Sequence, residues 1–385
     1  MAININAKTT GVGGLETSAD NSGNINIQSG GSTVMSVTSS GVAVTGSFSQ
    51  NGAVYSTQPS FRNLIINGDM RIDQRNAGSA NTINVDGEYT LDRWKASSRQ
   101  APTYNRFTVQ QVTDAPDNAV NSLKVTSLVS YTLASDDYHM ISQYIEGTNI
   151  AHLGFGTANA KTVTVSFYVK SSLTGAFGGS LRNSSGTRSY PFSYTIDSAN
   201  TWEKKTITIE GDTTGTWVTS IATGMILWLG LGVGSQYSGT AGAWSANNYF
   251  STTGATSVVG TSGATWQITG VQLEVGSTAT DFENLPYDVS LARCQRYYET
   301  GSARLGAYTH LPANYPIGML TGTGFKVTKR TTPGVSITTT SSSSIYTNSG
   351  NTGNINVSSF SQVGLVSVQN QFGSIEMSWT AGAEL

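Results

Sequence analysis

Gly270-Val-Gln-Leu-Glu-Val-Gly276, continued by Ser-Thr-Ala-Thr-Asp-Phe-Glu283 and closed by Arg293-Cys-Gln-Arg-Tyr-Tyr-Glu299, marks a change of module in this chain. An alternating strand ends at Gly276, which supplies a turn. A short amphipathic segment then leads into a second β-rich region. The spacing predicts a helix over 286–298, with Asp288 as N-cap and Leu291, Cys294 and Tyr298 on one face. The run therefore reads as a hinge between two modules, and none of its residues is of a catalytic type in a catalytic setting.

Upstream of it, from Phe61, apolar and polar residues alternate in short runs. Strands are expected at 63–66, 105–112, 122–129, 138–146, 161–170, 188–195, 202–210, 218–233 and 264–275. Turn signals separate them by roughly 10 to 20 residues, the pattern of an antiparallel sandwich. Met225-Ile-Leu-Trp-Leu-Gly-Leu-Gly-Val-Gly234 is apolar throughout, as a strand covered on both faces would be. Downstream, alternation resumes at 324–328, 333–338, 354–360, 363–368 and 373–379. Residues 1–60 hold few large apolar residues, and the pattern there is alternation, Ile25, Ile27, Val34, Val37, Val42, Val44 and Phe48, punctuated by Gly30-Gly31, Ser40-Gly41 and Asn51-Gly52. Stripes this thin cannot close a core in one chain, so three chains sharing an axis are expected, with Val34, Val37, Val42, Val44 and Phe48 at the trimer interface. The fold class is all-β, in four parts. These are a trimerising segment (1–60), a sandwich (61–285), a helical linker (286–299) and a small distal β domain (300–385).

Composition bounds the function. Only 11% of the 385 residues are charged, about half the share in ordinary soluble domains. Seven Trp and abundant β-branched residues argue against disorder. The net charge of −2 supplies no cationic surface for nucleic acid, and no apolar run reaches the roughly 18 residues of a membrane span. Met1-Ala-Ile-Asn-Ile-Asn-Ala-Lys8 has no apolar h-region, so no secretory signal is expected. An extracellular-looking composition without an export signal suits a protein freed by cell lysis, such as a virion component. Cys294, the one cysteine, can form no intramolecular disulfide, and its position predicts burial.

Three stretches carry a resemblance. Asn63-Leu-Ile-Ile-Asn-Gly-Asp-Met70, then Leu91-Asp-Arg-Trp94, then Gly270-Val-Gln-Leu-Glu-Val-Gly276 is similar to modules of tailed-bacteriophage tail fibres and receptor-binding proteins. Those modules resemble the calcium-bearing carbohydrate-binding jelly rolls. The resemblance covers 61–299 and implies a jelly-roll-like sandwich whose last strand returns to the first. It also implies a virion location and a homotrimer docked at its N-terminus on the virion tail or an adaptor protein. The implied receptor is a host surface glycan or an outer-membrane protein. The jelly rolls usually hold calcium through an aspartate on the final strand. Ile268-Thr269-Gly270 has no carboxylate there, so no metal or other cofactor is expected.

Motifs for catalysis are absent: no His-x-x-x-His, no Gly-x-Ser-x-Gly and no P-loop. Gly230-Leu-Gly-Val-Gly234 misses the dinucleotide fingerprint because position 235 is Ser. Asp136, Asp137 and Glu146 are carboxylates that a glycan-cleaving tailspike could pair, but the sequence does not pair them. Sugars are held by aromatic rings and planar polar groups on loops. Aromatic residues outside the apolar alternation are therefore the candidate receptor-binding residues: Tyr237, Trp244, Tyr308, His310, Tyr315 and Tyr346. The reading is an adhesive tail fibre. Its alternatives are a structural virion piece (head fibre, decoration protein or collar fibre) and a glycan depolymerase.

Overall fold

The structure, a computed structural model, describes residues 3–7, 15–19, 25–29, 32–38, 41–44, 48–50, 53–55, 61–99, 105–308, 317–342, 346–353, 355–366 and 372–385. Side chains are described for 25–28, 32–38, 61–99, 105–304, 322–340, 355–361 and 376–385. The chain divides into two compact units, Met1–Arg62 and Asn63–Leu385.

The second unit is built on a two-sheet antiparallel sandwich. The first sheet runs Ser189–Ile196, Gly175–Asn183, Thr223–Val233, Tyr138–Glu146, Trp94–Arg99, Glu88–Tyr89. The second runs Glu203–Ile209, Val163–Ser171, Thr265–Val275, Ser122–Ser127, Phe107–Val112, Asn81–Thr82. Alternation sends Ile141, Ile145, Leu227 and Leu229 from one sheet against Val165, Phe167, Ile268 and Leu273 from the other, all buried in one core with Trp94 and Trp266. The all-β sandwich expected from the strand spacing is present.

The opening segment differs from its expectation. Residues 63–66 form no strand; side-chain amides satisfy the backbone that a ladder would have satisfied. Asn63 Oδ1 accepts from Ile65 N (3.0 Å) and Leu273 N (3.1 Å), and its Nδ2 donates to Val271 O (3.0 Å). Gln143 brackets Ile66, accepting from its N (2.7 Å) and donating to its O (2.9 Å). Asn67, in the left-handed region at φ 59°, does the same for Ile72. The partner that makes room is Gly270, at φ +61°. Two residues, Gly270 and Val271, oppose Phe167 alone, because Ser166 pairs with Gln272 and Tyr168 with Thr269. This bulge releases Val271 N to donate to Gly68 O (2.9 Å). The approach is so close that a Cβ on Gly68 would stand 2.1 Å from Val271 O.

The segment expected as a hinge is tightly packed. The helix spans Tyr287–Gln295 with Pro286 as N-cap, so Asp288 lies in its first turn rather than at the cap. Cys294 is buried as expected; beyond the helix it is Tyr297, not Tyr298, that is buried beside it, with Ile66 and Ile72. Glu146 receives Arg296 Nη2 (2.8 Å), Tyr297 Oη (2.8 Å) and Thr148 Oγ1 (2.8 Å). Burial opposes its charge, yet those bonds outweigh burial and hold its pKa below the usual range. Arg93, 1% exposed, pairs with Glu384 and lies 3.7 Å over the Tyr297 ring. Arg75 adds a second bond to Glu384 (2.6 Å), and Arg330 donates to the carbonyls of Ala383 (2.9 Å) and Glu384 (2.8 Å). Beyond the helix, Tyr298–Tyr308, Phe372–Gly382 and Gly334–Ser342 form one sheet and Ile317–Gly324, Ser359–Val366 and Tyr346–Gly353 another. The expected boundary at 300 therefore falls inside a strand. Phe360 and Trp379 fill the small core there, and a buried Lys329–Glu299 pair ties it to the helix end, where Lys329 Nζ also donates to Gln295 O (2.6 Å).

The first unit contains one five-stranded sheet, in the order Leu15–Ala19, Ile3–Ala7, Ile25–Ser29, Ser32–Thr38, Gly41–Val44, and a hairpin pairing Phe48–Gln50 with Ala53–Tyr55. Its register aligns Ile3, Ile25, Val37 and Val42 in one cross-strand row and Ile5, Ile27, Met35 and Val44 in the next. Val34 is the unpaired residue of a bulge just beyond the second row. Among the side chains described here, none is fully buried: Val34 and Val37 are half-buried and Ile25 is 42% exposed. The side chains of Val42, Val44 and Phe48 lie outside the described residues.

Asn63→Ala should lower stability by roughly 2–4 kcal/mol, because it strands the Leu273 and Ile65 N–H groups; the denaturant midpoint of residues 63–385 reads this. Glu384→Gln leaves Arg93 buried without its counter-charge and should destabilise by about 3 kcal/mol. Calorimetry of the wild-type second unit should show one transition, and the variant should lower it as a whole.

Candidate functional site

A strand apolar on both faces must be covered twice, and Thr223–Val233 shows how. Met225, Leu227, Leu229 and Leu231 enter the sandwich core, while Ile226 and Trp228 point to the opposite face of the first sheet. There they meet Met140 and Phe250, with Tyr138, Tyr144, Val233 and Tyr237 around them. The register extends this into a band: Tyr89 pairs with Lys95, Lys95 with Ser142, Ser142 with Trp228 and Trp228 with Ser180. Lys95 Nζ lies 4.7 Å from the Tyr144 ring and 5.5 Å from the Tyr89 ring. Tyr144 meets Trp228 edge-on at 5.8 Å, and Phe250 stacks on Tyr237 at 4.7 Å. Arg182 stands over Trp228 (5.4 Å) and Phe250 (5.2 Å) and bonds Asn248.

The segment 234–252 lies against this face. Phe250 N donates to Tyr237 O (2.8 Å), closing the segment on itself, and Thr253 N donates to Gly239 O (2.9 Å). At the rim, Arg99 Nη1 donates to Tyr237 Oη (3.0 Å) and Tyr138 Oη donates to Asp86 Oδ2 (2.8 Å). Burial raises the pKa of Tyr89, Tyr138 and Tyr144, with the Asp86 bond adding to it at Tyr138, so the three hydroxyls remain neutral donors. Burial lowers the pKa of Lys95 and Arg182. Four buried polar atoms of this region have no hydrogen-bond partner among the described residues: Trp228 Nε1, Ser180 Oγ, Arg182 Nε and Ser251 Oγ. The half-buried Tyr89, Lys95, Tyr138, Tyr144 and Tyr237 thus bring rings, hydroxyls and an ammonium to one sheet face over a buried Trp228 and Arg182, a combination suited to polyhydroxylated ligands.

Of the six candidate residues, Tyr237 joins this band. Trp244 does not: its Nε1 donates to Glu210 O (2.7 Å), and its half-buried ring meets Phe155, Tyr190 and Trp217 edge-on at 5.9, 5.3 and 5.5 Å. It pins the 240–248 stretch to one end of the sandwich. The side chains of Tyr308 and Tyr346, at strand ends, and all of His310 and Tyr315 lie outside the described residues. Reasoning from loops missed Tyr89, Tyr138, Tyr144 and Trp228, which stand on strands. The signal was present in Tyr138-x-Met-x-Ser-x-Tyr144, whose alternate positions are too aromatic for an uncovered face.

Among the described residues no cluster of three or more His, Cys, Asp or Glu is placed to hold a metal. Asp69 is paired with Arg71, and Glu274 accepts from Gln272 Nε2 (2.7 Å), Thr280 N (2.8 Å) and Thr280 Oγ1 (2.7 Å). The three carboxylates considered for glycan cleavage are likewise engaged. Asp137 accepts from Tyr131 Oη (2.6 Å) and Ala134 N (2.7 Å), Glu146 holds the helix junction, and Asp136 faces Arg99 at 3.8 Å.

No protein-family model matches the chain, and no curated protein matches it. Solved structures share similarity over about half of it. A putative sugar-binding protein from Bacteroides thetaiotaomicron is 12% identical, with 56% of this chain and 100% of that one covered at TM-score 0.34. A family 11 carbohydrate-binding module from Clostridium thermocellum is 12% identical, covering 52% of this chain and 98% of that one at TM-score 0.27. The enzymatically active domain of tailspike protein 4 from bacteriophage CBA120 is 11% identical at TM-score 0.32, covering 56% of this chain but only 22% of that one.

Proposed function

We propose that this chain is a non-catalytic bacteriophage tail fibre protein, a homotrimeric adhesin that docks on the virion by its N-terminus and binds a host surface glycan. The observation that carries the glycan-binding part is the band of Tyr89, Lys95, Tyr144, Trp228, Arg182 and Tyr237 on one sheet face. A pyranose offers an apolar C–H face to a ring and a girdle of hydroxyls to planar polar groups, and the band supplies both. The tail-fibre part follows from the resemblance of 61–299, whose signature residues form the clasp between Asn63 and Val271. The trimer follows from the first unit, where the register gathers apolar residues into two rows while its described side chains are only half-covered. Tyr308, His310, Tyr315 and Tyr346 are kept as proposed receptor-binding residues on the sequence argument alone.

Purified protein should bind host cells and block phage adsorption, and Tyr144→Ala or Tyr237→Ala should weaken that binding about tenfold or more with an unchanged melting profile. Light scattering should give a mass near three times 40.5 kDa. Binding to capsids or necks with adsorption untouched would favour the structural virion reading. Release of reducing sugars from host polysaccharide would favour the depolymerase.

A further inference from the structure

The second sheet carries a separate cleft on its own outer side. It encloses about 330 Å³ and is lined by Ser166, Tyr168, Lys204 and Gly270 on the sheet, with Phe282 and Asn284 on the segment that follows it. That volume lies at the low end of the ~300–1,000 Å³ typical of small-ligand sites. The Gly270 bulge builds it. A Cβ on Gly270 would lie 3.2 Å from Tyr168 Cδ2 and 4.0 Å from Phe282 Cδ2, so two half-buried rings flank a floor with no side chain. Asn118 Nδ2 reaches the Tyr168 hydroxyl at 3.4 Å, and Lys204 Nζ stands 5.9 Å from the Tyr168 ring.

The hydroxyls at the floor of the cleft mark it as a site rather than a packing defect. Ser166, 4% exposed, lines the cleft. Thr269, the cross-strand partner of Tyr168, is fully buried, and its Oγ1 has no hydrogen-bond partner among the described residues. Buried hydroxyls are nearly always bonded. Val120, 64% exposed, adds apolar surface at the adjoining recess shared by Tyr168, Gly270 and Phe282.

We propose that this cleft is a second saccharide site, distinct from the band on the opposite sheet, and that it takes a single uncharged pyranose unit such as a chain end or a branch. Two rings, two amides and the Ser166 hydroxyl suit a sugar ring. Lys204 and Asp281 both line the cleft with opposite charges, and the nearby guanidinium of Arg71 is committed to Asp69 and to Leu285 O (2.8 Å), which together favour an uncharged ligand. A volume of about 330 Å³ accommodates one sugar ring rather than a running polymer.

The test is saturation-transfer NMR on the full chain with methyl pyranosides of glucose, galactose, mannose and N-acetylglucosamine at millimolar concentration, with Tyr168→Ala, Ser166→Val and Tyr144→Ala in parallel. At least one pyranoside should receive saturation from the wild type. Tyr168→Ala and Ser166→Val should each reduce that transfer about tenfold, and Tyr144→Ala should leave it intact. Ser166→Val reads the site if Tyr168→Ala fails to fold. No transfer from any of the four, or transfer that survives both cleft variants, overturns the proposal. Transfer lost only in Tyr144→Ala would overturn it while leaving the band, and the glycan reading built on it, standing.

Discussion

The bulge at Gly270 is the constraint on which the sandwich depends. Thr265–Val275 pairs with Ser122–Ser127 only as far as Ile268. Beyond that point its exposed edge would present unpaired N–H and C=O groups, which a buried strand cannot tolerate. Gly270 at φ +61° turns Val271 N out of its ladder toward Gly68 O, and Asn63 then occupies the vacated edge with two side-chain hydrogen bonds, to Val271 O and from Leu273 N. A side chain at 270 would strain the backbone and press on Tyr168. One glycine thereby closes the sheet edge on one side of the strand and opens a cleft on the other.

The junction after Thr265–Val275 obeys a different economy. Arg93 and Lys329 are buried cations, each tolerable only with its carboxylate in place. Glu384 reaches Arg93 and Arg75 from the far end of the second unit, while Glu146 and Glu299 anchor the two sides of the helix. Removing Glu384 or Glu299 leaves Arg93 or Lys329 buried without its counter-charge. Interactions of this kind fix geometry more than they add stability, and here they fix the distal sheets against the sandwich where a hinge was expected.

Periodicity made most of the sandwich legible, because alternation in Val163–Ser171 and the long apolar run of Thr223–Val233 reflect burial directly. Two of its longer strands escaped it for physical reasons. Gly175–Asn183 is rich in glycine because neighbours press on it: a Cβ on Gly179 would lie 2.5 Å from Trp228 O, and one on Gly178 would lie 2.2 Å from Ser251 Oγ. Trp94–Arg99 is small-residue-rich. Asn63-Leu-Ile-Ile-Asn67 misled in the other direction, since its apolar residues are buried without a ladder and only the amides reveal how. The candidate site was legible at Tyr237 alone. Loop aromatics were sought, whereas the band stands on strands and uses the loop as a wall, and Trp244 is held in place by the rings around it.

Two saccharide sites on opposite sheets would change how such a protein grips a surface. Single sugar contacts are weak, because a polar ligand exchanges water bonds for protein bonds with little net gain. If three chains share an axis, as proposed from the apolar rows of the first unit, each additional occupied site becomes an intramolecular event at high effective concentration. A band that follows a polymer and a cleft that takes one ring would respond to different features of the same glycan coat. The band would read chain density and the cleft would read termini or branches. Adhesion would then require both features together, which sets a narrower target than either site alone.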